Sequence, residues 1–118
     1  MVSAEEIKRL SEELQSSRKL LTALGDEVRQ HLILVMIQSG DCTGLRVNEI
    51  AEKTALSRPA VSHHLQILKE AGILKMRRKG TKNYYYFNED AGPIDSLIQM
   101  LEHAKQIMCS LPDRSGND

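Results

Sequence analysis

The chain has 118 residues with 16 basic and 16 acidic side chains, so its formal net charge is zero. That length suits one domain with a real core, and a neutral total taken whole argues against a nucleic-acid partner. The sequence shows no apolar run long enough to span a bilayer, no leader before Ser3 and only two cysteines, so the expected setting is the cytoplasm.

Ser3-Ala4-Glu5-Glu6 has capping-box spacing, with Ser at the N-cap and Glu three residues on. The helix it opens is expected to reach about Leu21, with Ile7, Leu10, Leu14 and Leu21 on its apolar stripe. Gly25 ends that region, and Asp26 is placed to cap a second helix through about Gln38. Leu32 to Ile37 contains no polar break, which predicts a core helix buried on most sides. Ser39 to Gly44 reads as a loop.

Val47 to Thr54 is a short helix with Val47, Ile50 and Ala51 inward, and Ala55-Leu56-Ser57 is a tight turn into the next helix. Ser57 is a good N-cap for that next helix, Pro59 sits where a missing N–H costs nothing, and Gly72 supplies a left-handed closing residue. Val61, Leu65 and Leu68 fall at i, i+4 and i+7 and form one stripe. Arg58, Ser62, His63, Gln66 and Lys69 occupy the opposite face. A face that is merely solvated is usually rich in Glu and Lys. Short donors and acceptors with one acid at the far end suit base edges in a groove. Ser57 and Ala60, in the first turn, belong to the same expected DNA contact. His63 and His64 differ by about 100° around the helix. His63 falls on the polar face, whereas His64 lies beside Val61 and Leu65 and is expected to pack.

Ile73 to Lys79 and Tyr84 to Phe87 read as two strands, linked by Gly80 to Asn83. Residues 57–88 carry seven Lys or Arg and one acid, a local charge of +6, which leaves −6 for the remainder. The neutral total therefore conceals a basic face, and nucleic acid returns as a partner. Arg77, Arg78, Lys79 and Lys82 are expected to touch phosphate or the minor groove, against the alternative of an ordinary solvated hairpin. The Tyr84 to Phe87 run suggests base stacking at first sight. Alternation instead splits Tyr84 and Tyr86 from Tyr85 and Phe87, which favours packing the hairpin onto the body. After an Asn88 to Gly92 turn, Ile94, Leu97, Ile98, Leu101, Ala104 and Met108 recur at helical spacing, and residues 112–118 read as a frayed polar tail. The expected fold is mainly α with a small β-hairpin wing: four helices, two strands and a final helix over about 93–109, in a single winged helix-turn-helix domain spanning 1–118.

At Ala23 to Arg29, Leu56 to Leu65, Leu68 to Leu74 and the Gly80 to Phe87 wing, the chain resembles the ArsR/SmtB family of bacterial winged-helix repressors, over roughly residues 5 to 108. The run Leu56-Ser57-Arg58-Pro59-Ala60-Val61-Ser62-His63-His64-Leu65 is the specific part. The resemblance implies a DNA-binding repressor in which the helices at about 4–21 and 93–109 form a two-fold homodimer interface through Ile7, Leu10, Leu14, Leu97, Leu101 and Met108. Packing of those stripes within one protomer is the alternative. A two-fold protein reads a palindrome with half-sites about one helical turn apart.

Many relatives sense metals. Thiol-type members carry Cys-x-Cys before the recognition helix, where this chain has Arg46 and Asn48, neither of which chelates a soft metal. Zinc-type members use Asp-x-His with a later His pair. Here the corresponding residues are Glu89, Asp90 and one His103, which do not make a zinc site. No metal or other cofactor is expected. Cys42 and Cys109 leave a thiol- or redox-responsive repressor as an alternative, and the identity of any small-molecule effector stays open. A winged-helix protein-interaction module is a further alternative, opposed by the +6 segment, because interface cores are depleted of charge. No catalytic triad, paired carboxylates or phosphate loop suggests an enzyme.

Overall fold

The computed structural model describes residues 2–39 and 43–112. Its elements are α1 (Ala4–Ser16), α2 (Arg18–Leu24), α3 (Glu27–Ser39), α4 (Val47–Thr54), α5 (Arg58–Glu70), β1 (Leu74–Lys79), β2 (Lys82–Phe87) and α6 (Gly92–Cys109). The order is that of a winged helix-turn-helix. The first helix, however, breaks at Ser17, which is buried with φ −93° and ψ 0°. Ser16 Oγ donates to the Glu12 carbonyl at 2.9 Å, and a serine that bonds backward in this way bends a helix. Ser3 Oγ accepts from Glu6 N–H at 3.1 Å and begins α1 as the spacing predicts. Of the expected polar tail over 112–118, Pro112 is exposed and residues 113–118 lie outside the described residues.

The core gathers around α5. Val61, Leu65 and Leu68 are fully buried, together with Leu32 of α3, Ile50 of α4 and Leu74 of β1. The expectation that α3 is covered on most sides is corrected. Leu32, Val35 and Met36 are buried, but Leu34 and Ile37 are 57% and 58% exposed, because α2, α4 and α5 pack against one side of α3. Among the described residues no helix is long and apolar enough to cross a membrane.

The helix-turn-helix corner turns at Ala55, which takes a left-handed φ of 59° after α4. Helix α5 ends in a Schellman arrangement, with Ile73 N–H donating to the Leu68 carbonyl and Gly72 N–H to the Lys69 carbonyl, both at 3.0 Å. Gly72 stands at φ +85°, and a Cβ there would lie 2.9 Å from Pro93 Cγ, so a side chain at this position meets both strain and a clash.

The wing pairs antiparallel from Leu74↔Phe87 to Lys79↔Lys82. Strand β2 thus begins two residues before the expected Tyr84, and the loop shrinks to Gly80-Thr81. Gly80 at φ +66° with no positive φ at Thr81 is the II′ pattern favoured in two-residue hairpins. Lys82 and Asn83 are exposed, so no burial pattern marks them as strand. On the other edge of β2, Tyr85 and Leu45 exchange two backbone hydrogen bonds of 2.8 Å. Tyr85 is buried and Phe87 packs against the core, which anchors the wing as the alternation predicts.

Candidate nucleic-acid interface

Ser57 Oγ accepts from Ala60 N–H at 3.3 Å, which starts α5 with its apolar stripe on the core and its polar face outward. Arg58, Ser62, His63 and Gln66 are all exposed on that face, while Ala60 is half-buried. Gln66 Nε2 donates to Glu70 Oε1 at 3.2 Å, one turn along the same face.

Residues directly opposite in an antiparallel pair share a face of the sheet. By the observed register, Lys75, Arg77, Lys79, Lys82, Tyr84 and Tyr86 lie on one face of the wing, and Leu74, Met76, Tyr85 and Phe87 lie on the face toward the body. Arg78 and Asn83 share the body-side parity but sit exposed at the tip. The wing cations are not equivalent. Arg77 Nη2 donates to the Thr43 carbonyl at 2.9 Å, and its guanidinium carbon stands 5.0 Å from the Tyr86 ring centre. Arg78 Nε donates to the Gly80 carbonyl at 3.2 Å. Lys75 pairs with Glu89 at 3.3 Å. The Glu89 carboxyl lies below its ordinary range because its own backbone N–H, and then Lys75, favour the ionised form. Among the described residues Lys79 and Lys82 hold no partner, so they are the cations most available for phosphate. An open cleft of about 580 Å³ lined by Thr43, Arg77, Lys79 and Tyr84 runs beside them.

A family model described as "Bacterial regulatory protein, arsR family" matches residues 28–75, from α3 to the start of the wing. An uncharacterized HTH-type transcriptional regulator of Methanocaldococcus jannaschii is 34% identical over 91 residues, covering 77% of this chain and 97% of that protein. The chain belongs to the arsR family of bacterial regulatory proteins. It is a winged helix-turn-helix transcriptional regulator. The transcriptional repressor SdpR of Bacillus subtilis is 41% identical over 66 residues, covering 56% of this chain and 69% of SdpR. In fold, the regulator is similar to the homodimeric winged helix-turn-helix DNA-binding domain Mb0332 of Mycobacterium bovis, with a TM-score of 0.57 and 21% identity over 95% of this chain and 93% of that one.

Of the positions that the family resemblance sets against metal ligands, Arg46, Asp90 and His103 have other partners. Arg46 N–H and Nε both donate to Glu49 Oε1, at 3.0 and 3.4 Å, across the start of α4. Asp90 Oδ1 accepts from Gly92 N–H at 2.9 Å, and His103 Nδ1 lies 2.6 Å from Glu13 Oε1, joining α6 to α1. Among the described residues no three His, Cys, Asp or Glu side chains are grouped to hold a metal. Cys109 is exposed, and Cys42 lies outside the described residues.

The six apolar residues expected at a dimer interface divide. Ile7, Leu14, Leu101 and Met108 are exposed in the single chain, and α1 has no buried residue at all. Leu10 is half-buried against the core. Leu97 is 8% exposed inside its own protomer's core and has little surface to offer a partner.

Sequence reasoning missed Arg29, the one buried charge among the described residues. Its Nε and Nη2 donate to the Ala23 and Thr22 carbonyls at 2.9 and 3.0 Å, and Nη1 lies 3.3 Å from His64 Nδ1. The available signal was an arginine one turn ahead of an apolar run, because a buried charge requires partners.

Proposed function

We propose that this regulator is a repressor that binds a palindromic promoter site as a homodimer in the cytoplasm, with α5 in the major groove and the wing on the backbone, and that it acts by binding alone and not as an enzyme. The observation that carries the reading is the pairing of an exposed, acid-poor α5 face with a wing that offers two unpartnered lysines. Ser57, Arg58, Ala60, Ser62, His63 and Gln66 supply base and backbone contacts from the helix, and Arg77, Arg78, Lys79 and Lys82 supply charge from the wing.

The exposed stripes of α1 and α6 support the dimer. A monomer seldom leaves several large apolar side chains uncovered on neighbouring helices. In this reading helices α1–α2 and α6 of a single domain supply that face, and the exposure of Ile7, Leu14, Leu101 and Met108 supports it. A mobility-shift assay on duplex from the regulator's own upstream promoter, repeated at several salt concentrations, tests the reading. The expected result is a complex with two protomers per site that outcompetes random duplex. Equal affinity for promoter and random duplex would overturn it.

A further inference from the structure

We infer that His64 is a positioning residue for base reading, held in one tautomer by Arg29, and that this contact sets the rotation of α5 in the groove. The inference rests on the proposed role of α5 in reading DNA.

The local structure begins at the end of α2. The final carbonyls of a helix have no partner inside it. Here Gly25 N–H takes those of Leu21 and Thr22, Arg29 takes those of Thr22 and Ala23, and Gln30 Nε2 takes that of Leu24 at 2.7 Å. Asp26 Oδ1 accepts from Arg29 N–H at 3.0 Å, and Asp26 Oδ2 lies 3.9 Å from Nη1. The Arg29 guanidinium is therefore fixed on several sides before it reaches α5. One of its remaining N–H groups points at His64 Nδ1.

A guanidinium only donates. His64 Nδ1 must therefore be the acceptor, which leaves the ring proton on Nε2. The consequence for α5 is directional. Val61, Leu65 and Leu68 hold the helix to the core by apolar contact, which resists separation but constrains rotation weakly. A hydrogen bond from a fixed donor constrains angle. His64 lies between the core stripe and the outward face, and its ring centre is 5.7 Å from that of His63, inclined at 60°. Holding His64 thus holds the neighbouring side chain proposed to read bases. Binding geometry of this kind tolerates about 10–20° of error. The same guanidinium grips α2, which continues from α1, so the proposed dimer arm and the reading helix share one anchor.

The test combines binding with a spectroscopic readout. His64→Leu removes the acceptor, and His64→Asn keeps one close to the Nδ1 position. The ratio of promoter to random-duplex affinity is expected to fall roughly tenfold in His64→Leu, the size of one base-edge interaction, with random-duplex affinity unchanged. In His64→Asn it should stay within about threefold of wild type, on the same scale. Long-range ¹H–¹⁵N spectra of the wild type in alkaline solution should show Nε2 protonated and Nδ1 bare at His64. A preserved ratio in His64→Leu, an equal loss in His64→Asn, or a protonated Nδ1 would each overturn the inference. If the wild type itself showed no promoter preference, the DNA-reading role would fall while the tautomer pattern still reported on the Arg29 hydrogen bond.

Discussion

The two ends of the molecule solve opposite problems. From α4 to the wing, every large apolar residue of the α5 stripe is covered by the chain itself, and what remains outside is polar or charged apart from the small Ala55, Pro59 and Gly80. At α1 and α6 the reverse holds: two amphipathic helices meet, are stapled by His103 and Glu13, and still expose Ile7, Leu14, Leu101 and Met108. The first region is complete in one chain and open only to a charged partner. The second leaves apolar surface that the proposed second protomer would cover. Under the proposed function, the two surfaces take partners of different chemistry.

That contrast makes unequal demands on single substitutions. Leu65→Ala empties a fully buried site at the centre of α5 and should lower stability by about 2–5 kcal/mol. Chemical denaturation would measure this, and a loss below about 1 kcal/mol would mean that the core is not centred on α5. Leu101→Glu with Met108→Glu changes residues 53% and 68% exposed in one chain, so the protomer should keep its fold. Charge in the apolar face should instead hold the protein as a monomer in sedimentation and weaken promoter binding by on the order of a hundredfold, through loss of the second half-site. A dimeric double variant would show that the face lies elsewhere.

Smaller effects sharpen the same picture. Ala55 occupies left-handed backbone where glycine suffers no steric cost. Ala55→Gly should stabilise by roughly 0.5–1 kcal/mol, read as a small rise in Tm, and a fall would mean that the turn is held by something other than local strain. Asp26 is held below its ordinary value of 3.8, first by the Arg29 backbone N–H. A depressed folded pKa means stability present above the unfolded value and lost as pH falls through the folded one. The Tm advantage of wild type over Asp26→Asn should therefore shrink between about pH 5 and pH 3. A constant or widening gap would contradict the assignment.

Much of this was legible in the sequence, and the exceptions share a cause. Ser57, Val61, Leu65, Leu68 and Gly72 declare α5 because capping, periodicity and a left-handed end are local properties. Alternation alone separates Tyr85 and Phe87 from Tyr84 and Tyr86. What escaped depends on contacts across the chain. Unbroken apolarity in Leu32 to Ile37 does not say that only one side of α3 is covered. The backbone exchange of Leu45 with Tyr85 has no sequence signature, and Arg29 stands out only once its environment is known to be buried. Of the site, the residue types and the outward face could be read in advance. The division of the wing cations into the engaged Lys75, Arg77 and Arg78 and the unpartnered Lys79 and Lys82 required the geometry.

If α5 reads bases while the wing holds the backbone, one pair of titrations separates the two roles. Promoter and random duplex are each titrated at several salt concentrations with Ser62→Ala, His63→Ala and the double variant Lys79→Ala, Lys82→Ala. Each helix variant should lose about 1–3 kcal/mol on the promoter and almost nothing on random duplex. The wing variant should weaken both duplexes alike and flatten the log–log salt slope by about 0.9 for each phosphate left without its lysine in each protomer. An unchanged salt slope in the wing variant, with the helix variants weakening both duplexes equally, would mean that α5 does not read bases and the wing does not hold the backbone.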